Sequence, residues 1–369
     1  MALSIGKITI DGNENYGNKL QSYALQQYLL SFADRVDALW HIDGKKDLPL
    51  HKRWGFKQTK EALLNRNHFR KRYEENTDGR DLVRAFRIKQ FDKQYMQTRY
   101  DCRNILKSQI GEEYDYFIVG SDQVWNPVFM NEADTYFLRF APAEKRIAFS
   151  ASFGVSQLPG AMKKKITPYL REFHAISVRE KRAAEMVEEI TGKAVPVLAD
   201  PTLLLSRKQW ESVERKPEWY RGGGDYILTY FLGPVPDAIE RTIRRKAEQE
   251  KLTVIRLLDP RFFEWYISDP AEFLYLISHA AYVYTDSFHG TVFSILNHVP
   301  FTISDRIGSL PMTSRIDTLL SLFHLEERRA AASHHYQVLN DGPSLWETES
   351  ILQEERNKAS AFLKQALGV

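Results

Sequence analysis

A single histidine stands where a polar run meets an apolar one in TDSFHGTVFSIL, residues 285–296. The stretch reads as a strand ending at Asp286–Ser287 and a helix beginning near His289–Gly290. The first turn of a helix is the positive end of its dipole, which disfavours an imidazolium and favours a neutral ring. Such a ring takes a proton as a general base and returns it as a general acid. Ser287 is placed to cap the helix, and Gly290 lets another group come close to the backbone. Thr291 adds a hydroxyl and completes this set of candidate substrate contacts. On spacing alone, a histidine that merely caps or packs fits slightly better than a catalytic one.

Three further places carry chemistry. Arg179 ends the run AISVRE, where a guanidinium can grip a carboxylate or phosphate with two parallel hydrogen bonds. A salt bridge to Glu180 or Asp200 explains it equally well. In DGNENYGNKLQ, Asn15, Gly17 and Asn18 precede a helix, a setting that suits an anion but also an ordinary turn and cap. After YFIVG come Ser121, Asp122 and Gln123, then Trp125. That cluster would suit a sugar, or an Asx-turn over a buried Trp. Ser152, in the strand-like KRIAFSASFG, belongs with these candidate substrate contacts. ADPT, residues 199–202, is a similar strand-end turn with a weaker claim. His298, His334 and His335 read as surface residues. No His/Asp/Glu spacing supports a metal site, and no cofactor is expected.

All of these residues fall at the ends of strand-like runs, and such runs alternate with helical ones along the chain. That alternation implies an α/β fold with parallel sheets, in which ligands bind at the carboxyl ends of the strands. GKITI, RVDALWHI, YDYFIVGSD, KRIAFSASFG, AISVRE and AVPVLAD read as strands of a first domain, residues 1–213. It includes a basic, helical-looking insert over about 45–110. Pro217 and three glycines in ERKPEWYRGGGD mark a hinge at 214–225. YILTYFLG, LTVIRLL, AYVYTD and PFTIS then form a second α/β domain, 225–335. A closing helix, 344–369, is expected to pack back on the first domain. Two Rossmann-like domains would then face each other across a cleft.

The chain has 369 residues, 43% hydrophobic and 27% charged, which suits a globular protein of about two domains. There is no signal-like N-terminus and no apolar run of membrane-spanning length. With Cys102 alone, neither an internal disulfide nor a cysteine zinc site can form. These features suit a cytoplasmic location. A net charge of +3 gives no case for nucleic acid. Residues 51–93, however, hold 13 Lys/Arg against 6 Asp/Glu. That face is either simply solvated or suited to peripheral contact with the membrane surface.

Taken in order, NYGNKLQSYALQQYL, DYFIVGSDQVWNP, KRIAFSASFG, ISVREKRAAEMV, VLADPTLLL and YVYTDSFHGTVFSILNHVPF resemble the polysaccharide pyruvyl transferase family over roughly residues 5–305. The resemblance implies an architecture like the GT-B glycosyltransferases. It implies pyruvate transfer from phosphoenolpyruvate, as donor substrate, to a sugar on a nucleotide- or lipid-linked precursor of a cell-surface polysaccharide such as a capsule or exopolysaccharide, leaving a ketal. It places the family's histidine on His289 and its strand-end arginine on Arg179. Members often carry an arginine two residues before that histidine, where this chain has Ser287. Lys145, Arg146, Arg306 or Arg315 are the candidates to replace it. Two rival readings stand beside this one. The first is a nucleotide-sugar glycosyltransferase, which would place an acidic residue such as Asp259 or Glu264 near a ribose. The second is a catalytically silent glycan-binding relative. A homo-oligomer is compatible with all three.

Overall fold

The computed structural model describes residues 2–10, 15–42, 77–103, 105–128, 133–222, 225–307, 313–330 and 341–369. Most of the basic stretch before residue 77, and the pair His334–His335, lie outside the described residues.

Two all-parallel sheets carry the fold. The first is built from β1 (Ser4–Ile8), β2 (Arg35–Ile42), β3 (Thr98–Arg103), β4 (Tyr116–Asp122), β5 (Arg146–Ala151) and β6 (Ala175–Val178), in the order β3-β2-β1-β4-β5-β6. The second contains β7 (Tyr226–Tyr230), β8 (Thr253–Leu257), β9 (Tyr282–Thr285) and β10 (Phe301–Ile303), in the order β10-β9-β7-β8. The central strands are apolar and buried on both faces, as parallel strands covered by helices must be. Chain direction across the sheet reverses between β1 and β4 in the first domain and between β7 and β9 in the second. Loops diverge at such switch points and leave a crevice for ligand.

The longer helices are α1 (Tyr16–Leu29), α2 (Thr77–Tyr95), α3 (Gly160–Arg171), α4 (Lys181–Thr191), α5 (Asp237–Glu250), α6 (Pro270–Ser278), α7 (Phe288–Leu296), α8 (Thr313–Leu322) and α9 (Leu345–Leu367). Helix α4 stops at Gly192, whose φ of 75° is the left-handed cap that glycine adopts at no steric cost. Helix α6 starts with a reciprocal capping box between Asp269 and Glu272 and has Pro270 in its first turn.

Two expectations need correction. The basic insert is not wholly helical: after α2 it supplies β3, which pairs with β2 at the sheet edge. A polar edge strand such as TRYDCR lacks the apolar alternation that marks a strand in sequence. AVPVLAD makes only an isolated bridge, Val178 to Val197. Pro196 has no N–H to extend the ladder; its carbonyl accepts from Val178 instead.

Helix α1 lies at the seam between the domains and is buried nearly all round. Leu20, Ala24 and Leu25 meet the first sheet's core, while Tyr16 stacks on Tyr230 at 5.5 Å and on Phe273 at 5.1 Å in the second domain. Its buried Lys19 pairs with Asp92 of α2 at 2.9 Å. Helix α2 also crosses to the second domain, where Arg87 pairs with Glu272 at 2.5 Å. Helix α9 packs on the first domain: Phe362 meets Phe149, Tyr28 donates to the Arg356 carbonyl, and Arg356 donates to the Leu204 carbonyl.

Candidate functional site

The two switch points face each other across α1. From the first domain come the end of β4, the start of α1 and the turn after β6. From the second come the turn after β9 and the first turn of α7. The sequence candidates His289, Arg179, Asn18, Ser121 and Asp122 meet there, all buried.

His289 sits in the first turn of α7, whose N-cap is Ser287; Ser287 Oγ accepts from the Gly290 N–H at 3.3 Å. The imidazole lies flush against Gly17. A Cβ on Gly17 would stand 2.0 Å from His289 Nδ1. His289 Nε2 points toward Asp200 Oδ1 at 3.8 Å, an ion-pair distance longer than a hydrogen bond, and has no hydrogen-bond partner among the described residues.

Asp200 is the hub. Its Oδ2 accepts from Arg179 Nη1 at 2.5 Å and from Ser121 Oγ at 2.9 Å. Its Oδ1 accepts from the Thr202 N–H at 3.0 Å and the Thr202 hydroxyl at 2.7 Å. Burial works to raise the pKa of this carboxyl. His289, Arg179 and Thr202 more than offset it, and hold the group well below the usual carboxylate range. Asp200 therefore stays ionised and gives His289 a fixed negative neighbour.

Arg179 also reaches Asp122 Oδ1 at 3.3 Å, and its guanidinium lies 4.6 Å from the centre of the Phe288 ring. Arg315, from α8, approaches the same Asp122 oxygen at 3.9 Å and the same ring at 5.9 Å. Burial, and then the charge of Arg179, push the Arg315 guanidinium down to about 10. Asp122 has a φ of 71°, a left-handed conformation that is uncommon for a residue with a side chain and tolerated best by Asn and Asp. Asn18 Nδ2 donates to its Oδ2, which ties α1 to the end of β4. The Gln123 amide, turned with its oxygen toward Arg315, accepts from both guanidinium ends at 3.0 and 3.1 Å. The cluster thus holds two arginines among the carboxylates of Asp122 and Asp200. An incoming anion would find two cations within one small volume.

Several sequence readings change. Gly17 is not an open anion donor: its N–H is taken by Asn15 Oδ1 at 2.8 Å, and its missing side chain makes room for His289. Asn15 itself is the cap of α1, and Tyr230 donates to it across the domain seam. Gly290 leaves room for Thr285, whose Oγ1 would lie 2.5 Å from an added Cβ. The Thr291 hydroxyl bonds back to the Ser287 carbonyl at 3.1 Å. Trp125 is a core residue. It stacks on Phe137 at 5.2 Å, and its indole N–H donates to the Tyr136 carbonyl. An indole buried there does not face a sugar. Ser152 donates to Glu180 at 2.9 Å.

Of the four cations named as replacements, only Arg315 enters the cluster. Lys145 donates to the Gly111 and Tyr114 carbonyls, and Arg146 to Ala141 and Glu172, at the opposite end of the first sheet. Arg306 braces Asp286 at 3.3 Å, and Asp286 accepts from the Leu232 and Gly233 N–H groups to fasten the β7 loop to β9. Asp200 carries a signal in its Asp-Pro-Thr turn, weaker in the sequence than its central place in the cluster. Arg315 carried none, because a basic residue early in an amphipathic helix is ordinary. Among the described residues, no group of three or more His, Cys, Asp or Glu could hold a metal ion.

Two parallel-sheet Rossmann-like domains, with polar clusters meeting at their switch points, form an architecture of the GT-B type. The polysaccharide pyruvyl transferase family model matches residues 15–305, so the chain belongs to that family. No curated protein matches it in sequence. Among solved structures it is similar to a putative UDP-N-acetylglucosamine 2-epimerase from Listeria monocytogenes, at 12% identity and TM-score 0.49, covering 95% of each chain. It is also similar to a glycotransferase of kitacinnamycin, at 10% identity and TM-score 0.48, covering 100% of each. The UDP-GlcNAc 2-epimerase of Neisseria meningitidis is similar at 8% identity and TM-score 0.44, over 99% of this chain and 93% of that one.

Proposed function

We propose that this protein transfers pyruvate from phosphoenolpyruvate to a sugar of a nucleotide- or lipid-linked glycan precursor, forming a ketal. One observation carries the reading: His289, Asp200, Arg179 and Arg315 converge from both domains on one buried site. The donor carries a carboxylate and a phosphate, which Arg179 and Arg315 suit as cations. His289 is the group that takes the sugar's hydroxyl proton, with Asp200 stabilising the resulting imidazolium. Arg315, arriving from α8, does the work of the cation expected at position 287.

In this reading the protein acts in the cytoplasm, at or near the inner membrane surface, and the basic segment around 45–110 of the sequence approaches anionic lipid. No helix among the described residues is long and apolar enough to cross a membrane.

A second reading has one specific observation in its favour. A cavity of 680 Å³ opens at the ends of β7 and β8, lined by Asp259, Arg261 and Phe262. Phe262 is exposed and stacks on Trp265 at 4.0 Å. Its size and aromatic floor suit a base and ribose, as a nucleotide-sugar glycosyltransferase requires. Glu264, the other acidic candidate, does not line this cavity.

The two readings part in one assay. The purified protein is incubated with phosphoenolpyruvate and a panel of saccharide acceptors, then with nucleotide sugars and the same panel. Acceptor-dependent phosphate release and a ketal product by mass spectrometry support pyruvyl transfer. No release, no thermal shift with phosphoenolpyruvate, and sugar transfer from a nucleotide would replace it with the second reading.

A further inference from the structure

Glu180 follows Arg179 directly and is the N-cap of α4, yet the chemistry above leaves it unused. Its side chain is fully buried. Oε1 accepts from Ser152 Oγ at 2.9 Å and lies 3.5 Å from the Gly154 N–H; Oε2 has no hydrogen-bond partner among the described residues. Arg179 makes its guanidinium hydrogen bonds to Asp122 and Asp200. Ser152 ties Glu180 to the site, because its own N–H donates to the Asp122 carbonyl at 3.0 Å.

An ionised carboxylate with a bare oxygen is far more costly to bury than a neutral acid, which also has a proton to give. Burial pushes the Glu180 carboxyl up, against the charges of Arg179 after β6 and Arg315 on α8 and the hydrogen bonds from Ser152 and Gly154 after β5. His289 and Glu180 then stand in one cluster as a candidate base and a candidate acid. Paired environments of that kind mark acid and base roles.

We propose that Glu180 is the second proton-handling residue of the site, a buried carboxylic acid that protonates the methylene carbon of the enol phosphate. This rests on the pyruvyl-transfer reading. Forming a ketal from a diol releases two hydroxyl protons, one of which ends on carbon and one on phosphate. Glu180 gives its proton to the methylene carbon, and the C=C electron pair forms the new C–H bond. The first hydroxyl oxygen bonds to the adjacent carbon as His289 takes its proton. The bond from that carbon to the phosphate oxygen then breaks. Phosphate leaves with the electron pair and receives the proton from His289. The second hydroxyl oxygen bonds to the same carbon, and its proton restores the Glu180 acid.

The test compares wild type, Glu180→Gln and Glu180→Asp for phosphate release from phosphoenolpyruvate across pH. Removing a general acid lowers the rate about 10²–10⁴-fold. The expected result is a fall of that size in kcat for Glu180→Gln, with KM for phosphoenolpyruvate within a few-fold of wild type. The wild-type alkaline fall in kcat disappears in Glu180→Gln, and Glu180→Asp, which keeps an acid, recovers part of the rate. Should the glutamine variant fail to fold, the aspartate variant carries the comparison through its reduced rate and retained alkaline limb. An active wild type and a glutamine variant with the same kcat and the same pH profile would overturn the role of Glu180 alone. A wild type that releases no phosphate with any acceptor overturns the pyruvyl reading, and this role with it.

Discussion

Gly17 of α1 and His289 of α7 are in face-to-face contact across the domain seam, so close that a methyl on Gly17 would stand 2.0 Å from the imidazole Nδ1. The glycine thereby fixes where the ring lies. Gly17→Ala separates two effects of opposite sign. Alanine in a helix is favoured over glycine by about 0.5–1 kcal/mol, whereas overpacking at a buried contact costs about 1–3 kcal/mol. The variant is expected to melt lower and to lose most of its turnover, because the ring must move. Wild-type stability and rate together would show that the contact does not position His289.

Asp200 joins His289 to Arg179, and removing its charge strands the arginine. Breaking a buried ion pair from one side costs about 3–5 kcal/mol, so Asp200→Asn should be strongly destabilised in urea titrations at neutral pH. The pH dependence has a definite sign. The folded carboxyl is held below its ordinary value, so its contribution is complete above the unfolded pKa of about 3.9. It is lost as pH falls through the lower folded value. Below about pH 4 the wild type should lose this share of stability and the asparagine variant should not. Parallel acid curves would contradict the assignment of Asp200 as the ionised hub.

Arg315 reaches the cluster from α8 and is the cation proposed to hold the donor. Arg315→Met keeps much of the side chain's length and removes the charge. A hydrogen bond to a charged group is worth about 1.5–3 kcal/mol, or roughly 10–100-fold in affinity. The KM for phosphoenolpyruvate should rise within that range while kcat changes less. Initial-rate kinetics at several donor concentrations decide the matter; an unchanged KM would remove Arg315 from the donor site.

The sequence leaves Trp125 open between a sugar contact and a buried Trp under an Asx-turn, and the fold places it in the core. Trp125→Phe removes the indole bond to Tyr136 and opens a gap. It should lower stability by about 1–3 kcal/mol with the acceptor KM unchanged. A large rise in acceptor KM at wild-type stability would restore the sugar-facing role.

The alternation of strands and helices and the cap at Gly192 were legible because each rests on local pattern. The edge strand β3 was not, since TRYDCR is polar and its pairing depends on β2, far from it in sequence. His289 and Arg179 were legible as strand-end residues, but the role of their neighbours was not. Gly17 read as a turn glycine, and only the fold shows that it faces His289, 272 positions along the chain. Asp200 and Arg315 join the site through contacts across β4, β6, α7 and α8, and no spacing in a single chain encodes those.

The central claim is that His289 moves a proton while pyruvate passes from phosphoenolpyruvate to a sugar hydroxyl. The most direct measurement is single-turnover phosphate release by wild type and His289→Gln, with the melting temperature of each recorded under the same conditions. The account predicts acceptor-dependent release by the wild type, and a loss of about 10²-fold or more in a variant that remains folded. Comparable release by both proteins would contradict it.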